Sequence, residues 1–300
     1  MADSSPSQMT QVRYERPAAR VARIVMNRPE QRNAQGIVMT YELDTAIKHA
    51  CHDDEVSVII LAGEGPHFSS GHDLSGAPPQ WPTVEQSVGL WGQYAGAGWE
   101  GSYAREREIY LDMTERWRNA PKPTIAEVQG ACIMGGLMLA WACDLIVCAD
   151  DARFRDMAAD LGGPGVEYFA HPWELGSRRA KEWLFTSDWL TAEQAERFGM
   201  VNHVVPPADL TRCTLDLAIR IANKDRFVLK LVKEAVNASQ DCMGRRQAMQ
   251  TAFALHQVAH LNNRLRFGVG IDTSKLQPAL RERFESRNTS SKDTSTTKQE

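Results

Sequence analysis

The sequence predicts an α/β fold with a mostly parallel sheet that is covered by helices. Apolar runs typical of buried strands alternate with stretches in which apolar residues recur at helical spacing. Strands that are apolar on both faces indicate a sheet with helices packed on each side. Two glycine-bearing turns, at residues 68–74 and 130–136, lie where a strand ends and a helix begins.

The strand predictions fall in the first half of the chain. Residues 20–27 alternate in polarity, and the Asn-Arg-Pro-Glu segment that starts at Asn27 breaks the pattern. Residues 56–62, 124–129 and 144–149 are apolar runs of the length expected for buried strands. We therefore expect these segments to form the sheet.

Helical spacing is found at residues 36–50, at 137–142 and around residues 109–117, where the pattern ends before Pro121. After about residue 176 only helical patterns remain, so the C-terminal part is predicted to be helical. Its helices are predicted at 178–186, 191–198, 209–222, 226–236 and 243–266.

Residues 75–102 are rich in Gly, Pro, Ser and Trp and have no sustained period. We interpret them as a long, partly mobile loop that is a candidate cover for a ligand site. Its tryptophans, Trp81, Trp91 and Trp99, fit an acyl pocket and simple packing of the loop equally well.

Composition excludes several classes of protein. The chain has 300 residues, of which 43% are hydrophobic, so it can bury a substantial core. The net charge of −4 provides no basic field for nucleic acid or an anionic membrane. The six cysteines include no CxxC pair, which argues against a zinc site or a disulfide framework. The first dozen residues lack the apolar stretch of a secretory signal. No apolar run reaches about 18 residues, the length that a membrane-spanning helix needs. We expect a cytoplasmic protein with neither nucleic acid nor a membrane as partner.

The two glycine-bearing turns indicate a reaction type. Backbone N–H groups at a strand-to-helix turn lack partners and are backed by the positive end of the helix. Two such groups that converge form an oxyanion hole, which stabilises negative charge developing on a carbonyl oxygen.

Five motifs occur in order along the chain and at compatible spacing. They are residues 26–34 (MNRPEQRNA), 68–74 (FSSGHDL), 122–126 (KPTIA) with Gly130 and Gly135-Gly136, 140–145 (AWACDL), and 190–195 (LTAEQA) with 199–202 (GMVN). In these motifs the chain resembles the crotonase (enoyl-CoA hydratase/isomerase) superfamily over about residues 12–267.

The resemblance implies a spiral of ββα units with C-terminal helices that build trimers, often paired into hexamers. Accordingly, residues 1–12 are expected to be a flexible N-terminus, 13–205 the spiral core, 206–285 the helical region and 286–300 a disordered tail. On the helix predicted at 243–266, the side with Met249, Ala252, Phe253 and Ala259 is expected to pack on a neighbouring subunit.

The implied ligand is an acyl-CoA thioester, so no separate cofactor is expected. By the resemblance, the N–H groups of His72 and Gly135 form the oxyanion hole. Arg28 is a candidate for CoA phosphates, although an arginine at the exit of a strand is as often only solvated. The other expected substrate-binding positions are Ser70, Gly71, Asp73, Leu74, Gly136, Met138 and Ala158.

The sequence departs from the family where acid–base chemistry is expected. Hydratases of the family carry a glutamate three residues after the oxyanion glycine, which is Met138 here. They carry a second one four residues after the phenylalanine at the exit of the next strand, Phe154 here, and that position is Ala158. Neither side chain can donate or accept a proton. Since a positioned acid or base typically accelerates a reaction by a factor of about 10²–10⁴, hydration without them is expected to be slow.

The candidate replacements are Glu167, Asp156 and Asp160, in that order of preference, together with the side chain of His72. Glu167 follows a Gly-rich turn near the position where relatives with isomerase, hydrolase or dehalogenase activity carry an acid or nucleophile. The alternative for the three carboxylates is a role as caps and surface ion pairs, and for His72 a role of the backbone alone.

No metal site is expected. His256 and His260 are four residues apart on one helix, which is a metal-ligand spacing, but the sequence shows no third ligand nearby. We interpret the pair as part of a helix surface or interface.

The sequence therefore predicts an acyl-CoA enzyme, a lyase or isomerase of the enoyl-CoA hydratase family with a non-standard proton step. Isomerase, decarboxylase and thioester hydrolase activities remain alternatives. A catalytically weak protein that only binds CoA esters is the alternative from a different class.

Overall fold

A computed structural model describes residues 9–74, 86–94, 96, 98–276, 278, 281 and 282. The expectations for residues 1–8, for Trp81 and for the tail at 286–300 lie outside this described part, as do residues 75–85, 95 and 97 of the predicted loop at 75–102.

The strands form two sheets. In chain order they are β1 (Val12–Ala18), β2 (Val21–Met26), β3 (Val58–Gly63), β4 (Thr124–Val128), β5 (Ala131–Ile133), β6 (Leu145–Ala149), β7 (Arg153–Arg155), β8 (Leu190–Thr191) and β9 (His203–Val205). The larger sheet has the order β1-β2-β3-β4-β6-β9, and the smaller one has the order β5-β7-β8. In the larger sheet only β1 and β2 pair antiparallel. The prediction of a mostly parallel sheet is confirmed, and β3 and β4 are buried along their whole length.

The expectation that only helices follow residue 176 is wrong. Strand β8 pairs with β7, and β9 completes the edge of the larger sheet beside β6. Strands of two or three residues are too short to show alternation in the sequence. They are defined by the strand that they pair with, which is distant in the chain.

The helices largely follow the predicted pattern. They are α1 (Ile37–His52), α2 (Glu100–Glu106), α3 (Met113–Arg118), α4 (Gly135–Trp141), α5 (His171–Leu175), α6 (Ser177–Thr186), α7 (Ala192–Phe198), α8 (Leu210–Ala222), α9 (Arg226–Cys242) and α10 (Arg245–Phe267). A π-helical segment, Arg107–Asp112, joins α2 to α3. No helix in the described residues is long and apolar enough to cross a membrane.

The surface of the C-terminal helices differs from the expected one. Two of the four residues of the expected apolar side, Met249 and Phe253, are buried in the core of their own chain, so the expectation that they are exposed to a neighbour is wrong. The assembly itself stays a prediction. Among the residues of α9, only Lys233 is buried, and its Nζ lies 2.8 Å from the Asp144 carboxylate. The exposed large apolar side chains of α9 and α10 are instead Phe227, Val228, Leu231, Val232, Val236, Leu255, Val258, Leu261 and Leu265.

Candidate active site

The two glycine-bearing turns are joined by backbone hydrogen bonds. The N–H of Ser69 donates to the carbonyl of Ala131 (3.1 Å), and the N–H of Ile133 donates to the carbonyl of Ser69 (2.9 Å). Gly71 has a φ of +90°, and a Cβ on it would lie 2.8 Å from the Ile133 carbonyl oxygen. Only glycine fits there without strain, so the backbone of the first turn packs directly on the second.

This contact brings the two predicted oxyanion donors together. Gln35 pairs with the carbonyl of Gly71 and with the N–H of Asp73, so the N–H of His72, between them, points to the opposite side. Gly135 is the first residue of α4, where the helix itself supplies no acceptor for an N–H group. A Cβ on Gly135 would lie 2.6 Å from the His72 ring, which shows how close the two residues are.

Backbone strain marks the start of α4. Met134, which caps the helix, has a φ of +52° and a ψ of −116°, a region that residues with side chains rarely occupy. Such a conformation costs of the order of 1–3 kcal/mol and persists only where the surroundings impose it. Here the N–H of Met134 donates to the carbonyl of Arg155 (3.0 Å), which anchors the turn to β7.

The Asn-Arg-Pro segment and the residues up to Asn33 are hydrogen-bonded to the chain that leads from β3 into the first turn. The side-chain amide of Asn33 donates to the carbonyls of Glu64 and His67, each at 2.9 Å, and its Oδ1 accepts from the N–H of Arg28 at 3.0 Å. Asn33 is fully buried, so these bonds satisfy it completely. The segment therefore holds the chain between β3 and the turn in place.

Arg28 contacts the site rather than open solvent. Its guanidinium donates to Asp73 Oδ2 and to the Ala34 carbonyl, each at 2.9 Å, and also to Gln31. Ser70 and Leu74 lie at the rim, and Leu74 is 39% exposed. Of the expected substrate-binding residues of the first turn, Gly71 is thus buried, while Ser70, Asp73 and Leu74 are at least partly exposed.

His72 and Glu167 form the central ionisable pair. His72 Nε2 lies 3.0 Å from Glu167 Oε2, and Nε2 of His256 lies 3.5 Å from the other carboxylate oxygen. Burial alone would raise the pKa of Glu167, but the His72 and His256 imidazoles outweigh it and hold that pKa well below its usual range. Glu167 is therefore a buried carboxylate that stays ionised and orients His72.

The imidazole of His72 is held between two surfaces. On one side it stacks on Tyr110, with ring centroids 3.8 Å apart and an angle of 27° between the planes. On the other side its Nδ1 faces Gly135, is buried, and has no hydrogen-bond partner in the described part of the chain. Nδ1 thus lies beside the predicted oxyanion donors without a hydrogen-bond partner among the described residues.

The remaining carboxylate candidates lie in different surroundings. Asp156 is buried and accepts from the N–H groups of Ala158 (2.8 Å) and Val166 (3.0 Å), while its Oδ2 lies 2.7 Å from His171 Nε2. Both of its oxygens are therefore occupied in holding the loop that leads to Glu167. Asp160 is a half-exposed side chain that pairs with Arg155 at 3.7 Å. Met138 and Ala158, at the positions of the family glutamates, are both buried.

Several site residues were not found from the sequence. Tyr110 was recognised only as one apolar position of a helix, and the π-helical turn that carries it leaves no clear signature in a pattern. Gln35 is 1% exposed, neither atom of its amide has a partner among the described residues, and its Oε1 lies 3.0 Å from the position of a Cβ on Gly135. The sequence does contain one sign of this residue: Gln35 is a polar residue without an assigned role, directly after Asn33 and Ala34. His256 reaches Glu167 from α10, 89 residues later in the chain, which no local pattern shows.

Comparison with known proteins confirms the family that the sequence motifs indicate. Residues 16–279 match the family model for enoyl-CoA hydratase/isomerase. The chain belongs to the enoyl-CoA hydratase/isomerase family. Acyl-CoA thioesters are the substrate class of that family, and the crotonase fold expected from the sequence is confirmed.

Individual relatives of this family member extend the comparison. The EchA13 protein of Mycobacterium tuberculosis, named as an enoyl-CoA hydratase, is 39% identical over 94% of this chain and 93% of its own length. A crystal structure of a probable enoyl-CoA hydratase from Mycobacterium smegmatis is 46% identical, with a TM-score of 0.79 over 88% of this chain and 99% of its own. The 4-chlorobenzoyl coenzyme A dehalogenase-2 of an Arthrobacter species is 32% identical over 72% of this chain and 74% of its own length.

The oxyanion assignment predicts the effect of Gly135→Pro. Proline removes the N–H donor, and its Cβ also crowds the His72 ring. The first position of a helix tolerates proline, so kcat on the best substrate should fall by at least about 10²–10³ while the protein stays folded. Steady-state kinetics and circular dichroism measure the two properties. Ser177→Pro, at the exposed first position of α6, is the matched control and should be fully active. Normal turnover by a folded Gly135→Pro variant would show that Gly135 is not a donor.

The buried ion pair predicts a pH-dependent contribution to stability. Because the folded-state pKa of Glu167 is lowered, its stabilising effect is present above its ordinary pKa of 4.5 and is lost as the pH falls below that value. Glu167→Gln should therefore lower the free energy of unfolding by about 1.5–3 kcal/mol at pH 7, and the difference from the wild type should shrink towards pH 3.5. Urea titrations at both pH values test this, with the exposed Glu30→Gln as control. A difference that is constant with pH would contradict the assignment of an ionised, paired Glu167.

Proposed function

We propose that this protein is an acyl-CoA enzyme that binds the thioester oxygen at the N–H groups of His72 and Gly135 and moves a proton with the His72 imidazole. One observation carries the proposal. The imidazole lies against Gly135 while its far nitrogen is bound to a buried, ionised carboxylate. Oxyanion donors and a base are thus adjacent.

The tautomer of His72 follows from its partners. An ionised carboxylate only accepts, so Nε2 carries the hydrogen that is donated to Glu167. In the neutral ring this leaves the lone pair on Nδ1, on the side of Gly135. Nδ1 is therefore the base, and Glu167 is a positioning residue that also stabilises the imidazolium when it forms.

Double-bond isomerisation is the reaction that this arrangement fits best. Nδ1 removes a proton from the carbon next to the thioester carbonyl, and the electron pair moves to the carbonyl oxygen, where the two N–H groups stabilise the enolate. Return of the same proton to the γ-carbon shifts the double bond and restores the neutral imidazole. One base suffices, and no other reactant is consumed.

Hydration is less well supported. Adding water to an enoyl thioester needs positioned groups that activate the water and supply the proton. The positions at which the family places its glutamates are occupied by Met138 and Ala158, which are buried and carry no ionisable group. Displacement by a carboxylate nucleophile is not favoured either, because both oxygens of Asp156 are already bound.

The test is a panel of acyl-CoA esters analysed by mass spectrometry, with crotonyl-CoA, β,γ-enoyl, malonyl-type, saturated and 4-chlorobenzoyl thioesters. We expect isomerisation of β,γ-enoyl-CoA and only slow hydration of crotonyl-CoA. Binding without turnover of any ester would instead indicate a CoA-ester-binding protein.

Variants then assign the roles. His72→Asn keeps the backbone donor and removes the imidazole, so kcat should fall by about 10²–10⁴ with little change in KM. Glu167→Gln should lower kcat and shift the pH profile, because the partner of Nε2 loses its charge. Asp160→Asn is the control and should be fully active, whereas Asp156→Asn should mainly reduce stability. Fast crotonyl-CoA hydration that none of these amide variants changes would place the active site elsewhere.

We also propose that the protein is a homotrimer or hexamer. The exposed apolar side chains of α9, including Phe227, Leu231 and Val232, form a surface larger than scattered apolar residues account for. The six cysteines are free thiols, which fits the reducing cytoplasm that we propose as its compartment.

The proposed trimer or hexamer predicts that a charged residue placed in its apolar interface lowers the particle mass in solution. Val232→Asp places a charge in the apolar surface of α9 and should shift the mass measured by light scattering towards the monomer. Leu90→Asp makes the same kind of change at a fully exposed residue outside α9 and α10, and should leave the mass unchanged. A wild type with only the monomer mass at micromolar concentration would refute the assembly.

A further inference from the structure

A second group of ionisable side chains lies beside the active site. Glu106 at the end of α2 and His256 and His260 of α10 place a carboxylate oxygen and two imidazole nitrogens within 4.8 Å of one another. The carboxylate is the third ligand that the sequence did not reveal for the histidine pair. The group adjoins Glu167, whose Oε1 lies 3.5 Å from His256 Nε2.

The hydrogen bonds of His256 leave a lone pair directed into this group. His256 Nδ1 lies 2.8 Å from the carbonyl oxygen of Gly165, and a carbonyl only accepts, so Nδ1 carries the hydrogen. In the neutral ring Nε2 is then an acceptor. Yet Nε2 is buried, has no hydrogen-bond partner among the described residues, and faces the Glu167 carboxylate. A carboxylate cannot donate to Nε2, so the pair is favourable only when Nε2 binds a cation, either a proton or a metal ion.

The second histidine is in a similar position. His260 Nδ1 lies 3.3 Å from Glu106 Oε2 but makes no hydrogen bond of acceptable geometry within the described residues. The carboxylate of Glu106 therefore approaches this nitrogen without satisfying it.

We propose that Glu106, His256 Nε2 and His260 Nδ1 bind a divalent transition-metal ion of the zinc type, with Glu167 next to the open coordination position. Two imidazoles and one carboxylate are a ligand set that suits zinc better than magnesium or calcium, which prefer oxygen. Ligands of tetrahedral zinc lie about 3.4 Å apart, and Glu106 Oε2 already lies 3.3 Å from His260 Nδ1.

The surroundings of the three ligands support the assignment. The Nδ1–H group of His256 donates to a backbone carbonyl, which is how metal-binding imidazoles are commonly oriented. The Glu106 carboxylate accepts from Gln257 Nε2 at 2.6 Å, and Gln257 is itself held by Trp99 at 2.9 Å. Ligand orientation is thus fixed by a further layer of hydrogen bonds.

The experiment measures binding and needs no turnover, so it is independent of the proposed reaction. The full-length protein is treated with EDTA, desalted and titrated with Zn²⁺ by calorimetry, and with Co²⁺ by visible absorption. We expect one ion per chain, a Co²⁺ spectrum of tetrahedral type and a rise in Tm with Zn²⁺. Glu106→Gln should weaken the affinity at least tenfold, and His260→Ala should abolish the Co²⁺ spectrum. His203→Ala removes an exposed histidine elsewhere and should change neither.

Two outcomes would overturn the proposal. One is Zn²⁺ binding that is equally strong in the wild type, Glu106→Gln and His260→Ala, which would indicate adventitious surface sites. The other is the absence of a stoichiometric ion together with ¹⁵N NMR shifts of a doubly protonated His256, since a proton would then be the cation that Nε2 binds.

Discussion

The active site depends on the backbone contact between the turns at 68–74 and 130–136. Ser69 bonds to the second turn through both its N–H and its carbonyl, and Gly71 has no side chain to separate the two. The proposed oxyanion donors, the N–H groups of His72 and Gly135, are therefore positioned mainly by main-chain contacts. Side chains that move protons can then change without displacing these N–H groups, which fits a family that includes both hydratase and dehalogenase names.

The C-terminal helices complete this site rather than only extending the core. Glu167 is buried, and an unpaired charge in such a place would be costly. Its two oxygens face imidazoles from opposite directions, His72 from the first turn and His256 from α10. Movement of α10 would therefore alter the environment of the carboxylate that orients the base. The helix that carries an exposed apolar face on one side carries an active-site partner on the other.

The sequence predicts the parts of this structure that depend on local pattern. The buried strands β3 and β4, the turns and the long helices were all found within a few residues of their bounds. The parts that the sequence does not predict depend on contacts between distant residues. Strand β9 forms because it pairs with β6 at the edge of the larger sheet, and Met249 is buried in the core of its own chain. Neither the stacking of Tyr110 on His72 nor the approach of His256 to Glu167 follows from any local period, because each joins separate segments.

His72 would supply both a proposed oxyanion donor, its N–H group, and the proposed base, its Nδ1. The distance between these two groups varies only with the side-chain torsions of His72, which Tyr110 and Glu167 hold. A base fixed so close to the proposed position of the thioester oxygen suits removal of a proton from the carbon next to the carbonyl, which forms an enolate. Addition of water needs further groups that activate the water and supply the proton, and Met138 and Ala158 are buried and carry no ionisable group. The proposed site therefore favours enolate formation over addition of water because the mechanism relies on a single base.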